Sequence, residues 1–255
     1  ACADYVQFYD FSIEDMQGPP VPDAAAEGGA SGETGAGEER RRSDDAAEGP
    51  SCPGTLEVKG HGPVSLVPAG WETPGGMGAV EVVADRLVIP HMGSRAYFAD
   101  ACVAGVYDRT QYLALNLLGK TLSYTIDLSG AGCGCNAALY LTSMHHNPNP
   151  SECLDHYCDA NHGCGDACAE IDIQGANERA WHSSVSTPSN PSGSKAGYGG
   201  GDVFDGPRDW GHRHYAPDSN CINTSAPFQV AASFPIDGRG ALTGLVVTLS
   251  QGPCR

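Results

Sequence analysis

Short runs of alternating hydrophobic and polar residues recur along the chain and predict β-strands. One run reads Ser123-Tyr124-Thr125-Ile126-Asp127-Leu128, and such alternation is typical of a strand with one buried face. Clusters of Gly, Pro and Asn separate the runs. The pattern predicts strands over residues 79–89, 113–118, 122–128, 138–144, 170–173, 228–234 and 242–249. No window shows the sustained 3.6-residue repeat of an amphipathic helix, so the predicted fold class is all-β, a sandwich or jelly roll.

Composition divides the chain into three segments. Residues 1–17 contain an aromatic run, Tyr5–Phe11, which predicts an edge strand. Residues 18–51 are rich in Ala, Gly and Glu and almost lack large apolar side chains, which predicts a low-complexity acidic insertion without fixed structure. Residues 52–255 carry the predicted strands. Two long polar stretches in that part, from His145 to about Cys168 and from Ser183 to about Pro217, are predicted to be loops that wall a groove.

The charge of the chain narrows the choice of partners. Fourteen basic and 31 acidic residues give a net charge of −17. Phosphate groups would be repelled by such a chain, so we expect no nucleic-acid partner. No stretch approaches the ~18 consecutive apolar residues that span a bilayer, so we expect no membrane partner either. A neutral polysaccharide is compatible with this charge.

The eleven cysteines indicate an oxidising, extracellular compartment. The chain begins Ala1-Cys2, which we interpret as a mature terminus after removal of a secretion signal. Asn223-Thr224-Ser225 is a sequon for N-glycosylation, as expected of a secreted glycoprotein. Because the number of cysteines is odd, at least one thiol is free or forms a disulfide with a partner.

Four of these cysteines lie close together with four histidines between residues 145 and 168, and two interpretations are open. The cluster is either a zinc site or a loop closed by local disulfides. None of the spacings is the Cys-x2-Cys knuckle of typical zinc sites, which favours disulfides, so we predict neither a metal nor another cofactor. Cys133-x-Cys135 is interpreted as two half-cystines with different partners.

The most informative segment is the predicted strand at residues 170–173. Its alternation places Glu170 and Asp172 on one face, while Ile171 and Ile173 point to the other. An exposed sheet face is the simpler explanation, but the two long loops that flank this strand favour a groove. Closely spaced carboxylates push each other's protonation apart, which lets one act as a nucleophile and another as an acid.

Three segments around these carboxylates resemble glycoside hydrolase family 7, the cellobiohydrolases and endoglucanases. Residues 163–172, Gly-Cys-Gly-Asp-Ala-Cys-Ala-Glu-Ile-Asp, are similar to the first half of the family signature Glu-x-Asp-x-x-Glu-Ala-Asn and the loop before it. Residues 117–129 and 133–144 are similar to a strand pair that ends in Cys-Gly-x-Asn-x-Ala-Leu-Tyr-x-x-Ser-Met. Ser94-Arg95-Ala96-Tyr97 resembles an upstream Ala-Arg-Leu-Tyr segment. The resemblance covers roughly residues 78–249.

The resemblance implies a concanavalin-like jelly-roll sandwich of two curved antiparallel sheets, incomplete at the C-terminus, where the family domain normally continues. It also implies retaining hydrolysis of a β-1,4-glucan such as cellulose. Glu170 then takes the place of the nucleophile and Asp172 that of the carboxylate that tunes it. Arg95, Asn136 and Tyr140 occupy positions that line the path of the glucan.

Two positions depart from the family pattern. The acid/base glutamate belongs five residues after the nucleophile, where this chain has Gly175, and on a regular strand that position faces away from Glu170. A histidine of the family corresponds to Ser186, with His182 nearby but out of register, and Glu178 is a conceivable substitute for the acid. Three hypotheses remain: an active glucanase, a non-catalytic glucan-binding protein, and a structural protein of an extracellular assembly.

Overall fold

A computed structural model describes residues 6–16, 51–71, 80–90, 93–199 and 210–254. The predicted insertion at residues 18–51 lies outside this part of the chain, apart from Ser51. The described residues form fifteen β-strands and two single turns of 3-10 helix. The strands are β1 (Val6–Asp15), β2 (Thr55–Val58), β3 (Gly62–Pro68), β4 (Glu81–Val83), β5 (Arg86–Ile89), β6 (Ala96–Ala99), β7 (Lys120–Asp127), β8 (Ala137–Thr142), β9 (Glu170–Asn177), β10 (Ala180–Thr187), β11 (Asn190–Tyr198), β12 (Tyr215–Ala216), β13 (Ile222–Asn223), β14 (Phe228–Ser233) and β15 (Val246–Ser250).

Two larger antiparallel sheets dominate the architecture. The first has six strands in the order β15-β14-β7-β1-β5-β4, and the second has four in the order β11-β10-β9-β8. A three-stranded sheet, β2-β3-β6, and the short parallel pair β12-β13 complete the described strands. The all-β, antiparallel fold class predicted from the sequence is confirmed.

The main hydrophobic core lies between the two larger sheets. It joins Phe8, Ile126 and Val230 of the six-stranded sheet to Ile173 and Trp181 of the four-stranded one. Each of these side chains sits at an alternating position of its strand, so one face of each sheet is apolar. The hydrophobic effect of burying these side chains holds the two layers together.

The predicted edge strand at the N-terminus is an interior strand, so that prediction is wrong. Strand β1 pairs with β5 on one side and with β7 on the other. Phe8, Phe11 and Ile13 are buried, and the Phe11 ring stacks on Tyr124 with 5.6 Å between centroids. An alternating pattern reveals which face of a strand is buried, but it does not show whether both backbone edges are paired.

Several predicted strands are confirmed with small shifts, and two are corrected. Residues 79–89 contain a hairpin, because Ala84 and Asp85 adopt the positive φ angles of a tight turn. Residues 113–118 form no strand, although Leu113, Leu115 and Leu117 pack on the main core. Their alternation reflects the burial of an extended connection, which contacts strand β6 through a single backbone hydrogen bond from Leu113 to Phe98.

The second predicted loop, from Ser183 to about Pro217, is largely wrong. Strand β10 runs to Thr187, a turn follows at Pro188 and Ser189, and β11 extends to Tyr198. These strands are rich in Ser and have no apolar alternation, so hydrophobic patterning misses them. The backbone ladder to β9 and β10 supplies the pairing that the side chains do not signal.

The first predicted loop, residues 145–168, contains no strand, and its cysteines form the disulfides Cys153–Cys164 and Cys158–Cys168. Cys52–Cys102 and Cys221–Cys254 are also bonded. Because all four loop sulfurs are in disulfides, the zinc interpretation lacks the thiolates it requires. Within the described ranges, no helix has the length and apolar character needed to cross a membrane.

The pairing predicted for Cys133 and Cys135 holds for only one of them. Cys135 is disulfide-bonded, whereas Cys133 is an exposed free thiol. Whether it bonds to another protein stays a prediction.

The interior position of β1 leads to a test of stability. Replacing Phe8, which is 1% exposed, with Ala should lower the free energy of unfolding by about 3–5 kcal/mol, because a large core side chain is lost. Glu14→Ala on the same strand should change it by less than about 1 kcal/mol, because the ion pair with Lys59 is exposed. Denaturant unfolding under non-reducing conditions measures both. Similar small losses would contradict a core role for β1.

Candidate active site

Strand β9 is the centre of the candidate site, and a β-bulge decides which of its side chains share a face. Against β8, Leu139 pairs with Gln174 and Tyr140 with Asp172, so Ile173 has no partner of its own. Ile173 and Gln174 are consecutive and both fully buried. The bulge therefore turns two neighbouring side chains into the core and reverses the alternation that follows.

The bulge brings position 175 to the same face as the two predicted carboxylates. Beyond it, Ala176 returns to the core, so Gly175 faces the side on which Glu170 and Asp172 lie. A regular strand would place position 175 on the opposite face, and the extra residue at 173–174 is the deviation that brings it to this side. We call this side of β8, β9 and β10 the carboxylate face.

The Glu170 side chain lies at the start of β9, only 7% exposed. The backbone N–H of Ala160 donates a hydrogen bond of 3.2 Å to its Oε2. Ala160 belongs to the long loop, and the disulfide Cys158–Cys168 ties this part of the loop to the residue two positions before Glu170. The cysteine-rich loop thus has a positioning role, because it brings a hydrogen-bond donor to the carboxylate.

Burial raises the pKa of Glu170 to about 6, and the neighbouring Asp172 charge adds to the effect. Burial also raises the pKa of Asp172, but a 2.5 Å hydrogen bond donated by the Ser184 hydroxyl to Oδ2 opposes this. Glu170 and Asp172 also share a hydrogen bond that raises the pKa of the first and lowers that of the second. Their environments therefore differ, so the proton that the pair retains resides on Glu170.

A third carboxylate, Asp159, was not predicted from the sequence. It is 9% exposed, and its Oδ1 accepts hydrogen bonds from the backbone N–H groups of Asn161 and Gly163 at 2.9 and 2.8 Å. A Cβ atom at position 163 would lie 2.5 Å from Oδ2, so this arrangement requires glycine there. The charge of Asp159 raises the pKa values of Glu170 and Asp172 further. The Asp-x-Asn-x-Gly sequence signals only a turn.

Of the three predicted glucan-lining residues, Arg95 and Tyr140 meet around a ring that the sequence did not single out. The Arg95 guanidinium lies 4.2 Å from the centroid of the Tyr157 ring. Tyr140 meets the same ring edge-to-face with 6.2 Å between centroids, and it lies opposite Asp172 in the sheet. Asn136 lies elsewhere, next to position 175, where its Oδ1 is 3.5 Å from the place of a Cβ atom.

Arg95, Asn136 and Tyr140 also line a cavity of about 680 Å³, which Glu170 and Asp172 do not line. Most of its other lining residues are apolar, including Leu87, Leu115 and Leu139. The cavity therefore reaches the three predicted glucan-lining residues but not the two carboxylates. We assign the chemistry to the carboxylate face instead, because titratable groups with shifted pKa values lie there.

The remaining residues of the family pattern are also placed by the sheet register. Ser186 lies opposite Glu170, and His182 lies opposite Gly175. The Glu178 carboxylate lies 3.9 Å from the Arg179 guanidinium. Burial raises the pKa of Tyr215, and the charge of Glu178 adds to this effect. Glu178 is therefore oriented toward the hairpin end and the core, and it does not replace an acid at position 175.

Residues 70–165 match the model of glycosyl hydrolase family 7, and the match ends five residues before Glu170. An endoglucanase 1 of Pyricularia oryzae is 29% identical in an alignment of 204 positions, which covers 66% of this chain and 46% of that protein. Endoglucanase EG-1 of Humicola insolens is 35% identical over 29% of this chain and 22% of its own length. The chain thus spans less than half the length of these relatives.

Among solved structures, the chain is similar to a family 7 cellobiohydrolase from Daphnia pulex, with 19% sequence identity and a TM-score of 0.43. The superposition covers 68% of this chain and 50% of that one.

The raised pKa of Glu170 predicts a pH-dependent stability. Between pH 4.5 and about 6 the folded protein holds a proton that the unfolded chain releases, so stability falls as pH rises through this interval. Glu170→Gln removes this penalty. Its free energy of unfolding, relative to the wild-type value, should increase across the interval by up to about 2 kcal/mol and then level off. Unfolding measured from pH 4 to 7.5 gives this difference, with exposed Glu14→Gln as the control. A flat or falling difference for Glu170→Gln would contradict the buried-carboxylate argument.

Proposed function

Because this chain is a divergent, partial member of glycosyl hydrolase family 7, we propose that its carboxylate face binds a β-1,4-glucan such as cellulose, with Glu170 as the nucleophile of a retaining hydrolysis. The observation that carries the proposal is the pair of Glu170 and Asp172 on one face of β9, held by Ala160 and Ser184. The relatives named endoglucanases support the substrate class.

In this proposal the ionised Glu170 attacks the anomeric carbon of the bound sugar and forms a glycosyl ester, which water then hydrolyses. The Ala160 N–H fixes one carboxylate oxygen, so the other is available for attack. Asp172 is held by Ser184 and keeps a negative charge beside the reacting centre. This charge favours the positive character that develops on the sugar ring in the transition state.

The binding of the glucan is assigned to polar and aromatic groups near this pair. Arg95 and Tyr140 are ordered by their contacts with the Tyr157 ring. Side chains held in place in this way lose little conformational entropy when a sugar binds. We assign Asn136 to the sugar that passes over Gly175, because its Oδ1 borders the space above that glycine. An extracellular location agrees with the four disulfides among the described residues. Glycosylation of Asn223 stays a prediction.

The second candidate function is non-catalytic glucan binding, and Gly175 is the observation that favours it. A retaining hydrolase needs two carboxyl groups about 5–5.5 Å apart, one of which protonates the leaving oxygen. Position 175 lies on the carboxylate face, but its glycine offers no carboxyl group. General acid help is worth about 10²–10⁴-fold in rate, so hydrolysis of native cellulose should be slow even if Glu170 is an intact nucleophile.

A trapping experiment tests Glu170 without requiring an acid. Incubation with 2,4-dinitrophenyl 2-deoxy-2-fluoro-β-cellobioside should add one fluorocellobiosyl group to the protein, because dinitrophenolate leaves without protonation and the fluorine slows hydrolysis of the ester. Intact mass spectrometry detects the adduct, and peptide mapping should place it on Glu170. Glu170→Gln should remain unlabelled, while Glu178→Gln should label like the wild type.

The two candidate functions give different results in this experiment. Labelling of Glu170 supports the nucleophile. No labelling of the wild type, together with binding of cellohexaose detected by calorimetry, would favour the non-catalytic protein. If the wild type shows no labelling and no heat of binding at millimolar cellohexaose, both candidate functions are contradicted.

Restoring the acid gives a further prediction. A side chain at position 175 has room, because a Cβ atom there meets only Asn136 Oδ1 at 3.5 Å and the His182 carbonyl oxygen at 3.8 Å. Gly175→Glu should therefore fold and should raise the rate of cellotetraose hydrolysis by about 10²-fold or more. Gly175→Gln, which has the same size and no acid, should not. Reducing-sugar assays compare the two, and equal rates would contradict the view that only a proton donor is missing.

A further inference from the structure

The cavity of about 680 Å³ that Arg95, Asn136 and Tyr140 line extends into the hydrophobic core. Phe8 and Leu122 of the six-stranded sheet border it and are only 1% and 3% exposed. Protein interiors are usually packed as densely as organic crystals, with few voids larger than a water molecule. A space of this size beside core side chains is therefore unusual, and its volume lies in the range of about 300–1,000 Å³ that is typical of small-molecule sites.

The cavity is elongated, because it follows strand β8 over its whole length. Every residue from Ala137 to Thr142 lines it, and six residues of a strand extend about 20 Å. The other walls include Leu87 of β5 and Leu115 of the connection before β7. Aliphatic walls of this kind suit an unbranched hydrocarbon chain, and they offer no hydrogen-bond partners to the hydroxyl groups of a sugar.

The charge of the cavity wall is opposite to that of the whole chain. The chain has a net charge of −17, yet no Asp or Glu is found among the described residues that line the cavity. Of these lining residues, Arg95 alone is permanently charged, and His145 and His146 add positive charge only when protonated. Such a wall favours an anionic ligand over a neutral or a cationic one.

The Arg95 guanidinium is half-buried but forms no ion pair with any residue in the described ranges. It lies 4.2 Å from the centroid of the Tyr157 ring and shares a hydrogen bond with Tyr97. A guanidinium has five N–H donors in a planar fork that matches the geometry of a carboxylate. These two tyrosine contacts leave several of the donors for the carboxylate of a ligand.

We propose that the cavity binds a free fatty acid, with its carboxylate on Arg95 and its hydrocarbon chain along β8. Burial of the chain supplies the affinity, and charge-assisted hydrogen bonds to Arg95 select the anion. The site shares Arg95, Asn136 and Tyr140 with the proposed glucan path, but it requires neither Glu170 nor Asp172. Its test is therefore independent of the proposed hydrolysis.

Calorimetry with the full chain and three ligands of equal chain length tests the role of the head group. Dodecanoate, dodecanol and dodecyltrimethylammonium are each titrated below the concentration at which they aggregate. Dodecanoate should bind at one site per chain, and the cationic ligand should bind at least about tenfold more weakly, because Arg95 repels it. Arg95→Met should weaken the binding of dodecanoate by about tenfold or more and change that of dodecanol by less than about threefold.

A pair of leucine substitutions tests whether the hydrocarbon chain lies in the cavity. Leu115→Trp should fill part of the cavity and weaken the binding of dodecanoate and dodecanol by about tenfold or more. Leu118→Trp is the matched control, because Leu118 is 49% exposed and lines the neighbouring groove instead of this cavity, so binding should be unchanged. Leu139→Trp narrows the cavity from the side of β8 and replaces Leu115→Trp if thermal unfolding shows that this variant is not folded.

The proposal is overturned if dodecanoate shows no saturable binding, if the three ligands bind equally, or if the cavity-filling variants bind like the wild type. An equal loss of dodecanoate and dodecanol in Arg95→Met would overturn the assignment of the carboxylate to Arg95. Glu170→Gln should bind dodecanoate like the wild type. Binding of dodecanoate by a protein whose Glu170 cannot be labelled would support the cavity site and contradict only the nucleophile.

Discussion

A single buried amide, Gln174, connects the two large sheets and fixes the geometry on which the candidate site depends. Its side chain is fully buried, with Oε1 accepting a hydrogen bond from the Tyr124 hydroxyl and Nε2 donating one to the Ala137 carbonyl oxygen. A buried amide is costly unless its hydrogen bonds are made. These hydrogen bonds form only if Gln174 points into the core directly after Ile173. The β-bulge of β9 allows two consecutive side chains to do so.

The bulge has consequences on the opposite side of the strand. It carries position 175 to the carboxylate face, so the loss of a carboxyl group there is a loss at the site itself. It also sets the register of β10, because Ser184 then lies opposite Asp172 and His182 opposite Gly175. A hydrogen bond inside the core thus decides which polar residues on the outer side of the sheet meet.

The electrostatics of the face come from burial and from a loop that disulfides hold in place. Cys158–Cys168 keeps Ala160 and Asp159 beside Glu170, so that the loop contributes both a donor that stabilises the carboxylate and a charge that destabilises it. Burial and the charge of Asp172 raise the pKa of Glu170 to about 6, with the Ala160 donor opposing them, so the group is mostly ionised at neutral pH. A nucleophile requires this ionised form, and proton donation has to come from another group.

The sequence by itself determined the features that depend on local pattern and on residue type. Alternation predicted an all-β chain, placed Glu170 and Asp172 on one face and indicated a loop closed by disulfides, because strand periodicity and cysteine content are local properties. The identity of Gly175 likewise excluded a carboxyl group at that position. The family resemblance added Arg95 and Tyr140, which the fold does bring together.

Only the tertiary structure decided the features that depend on backbone pairing between distant segments. The interior position of β1, the polar strands β10 and β11, the bulge at Ile173 and Gln174, and the places of Asp159 and His182 all follow from which strand lies beside which. Backbone N–H and C=O groups are the same in every residue apart from proline, so the sequence pattern carries little information about their partners. Burial and register emerge only when both sheets close on a shared core.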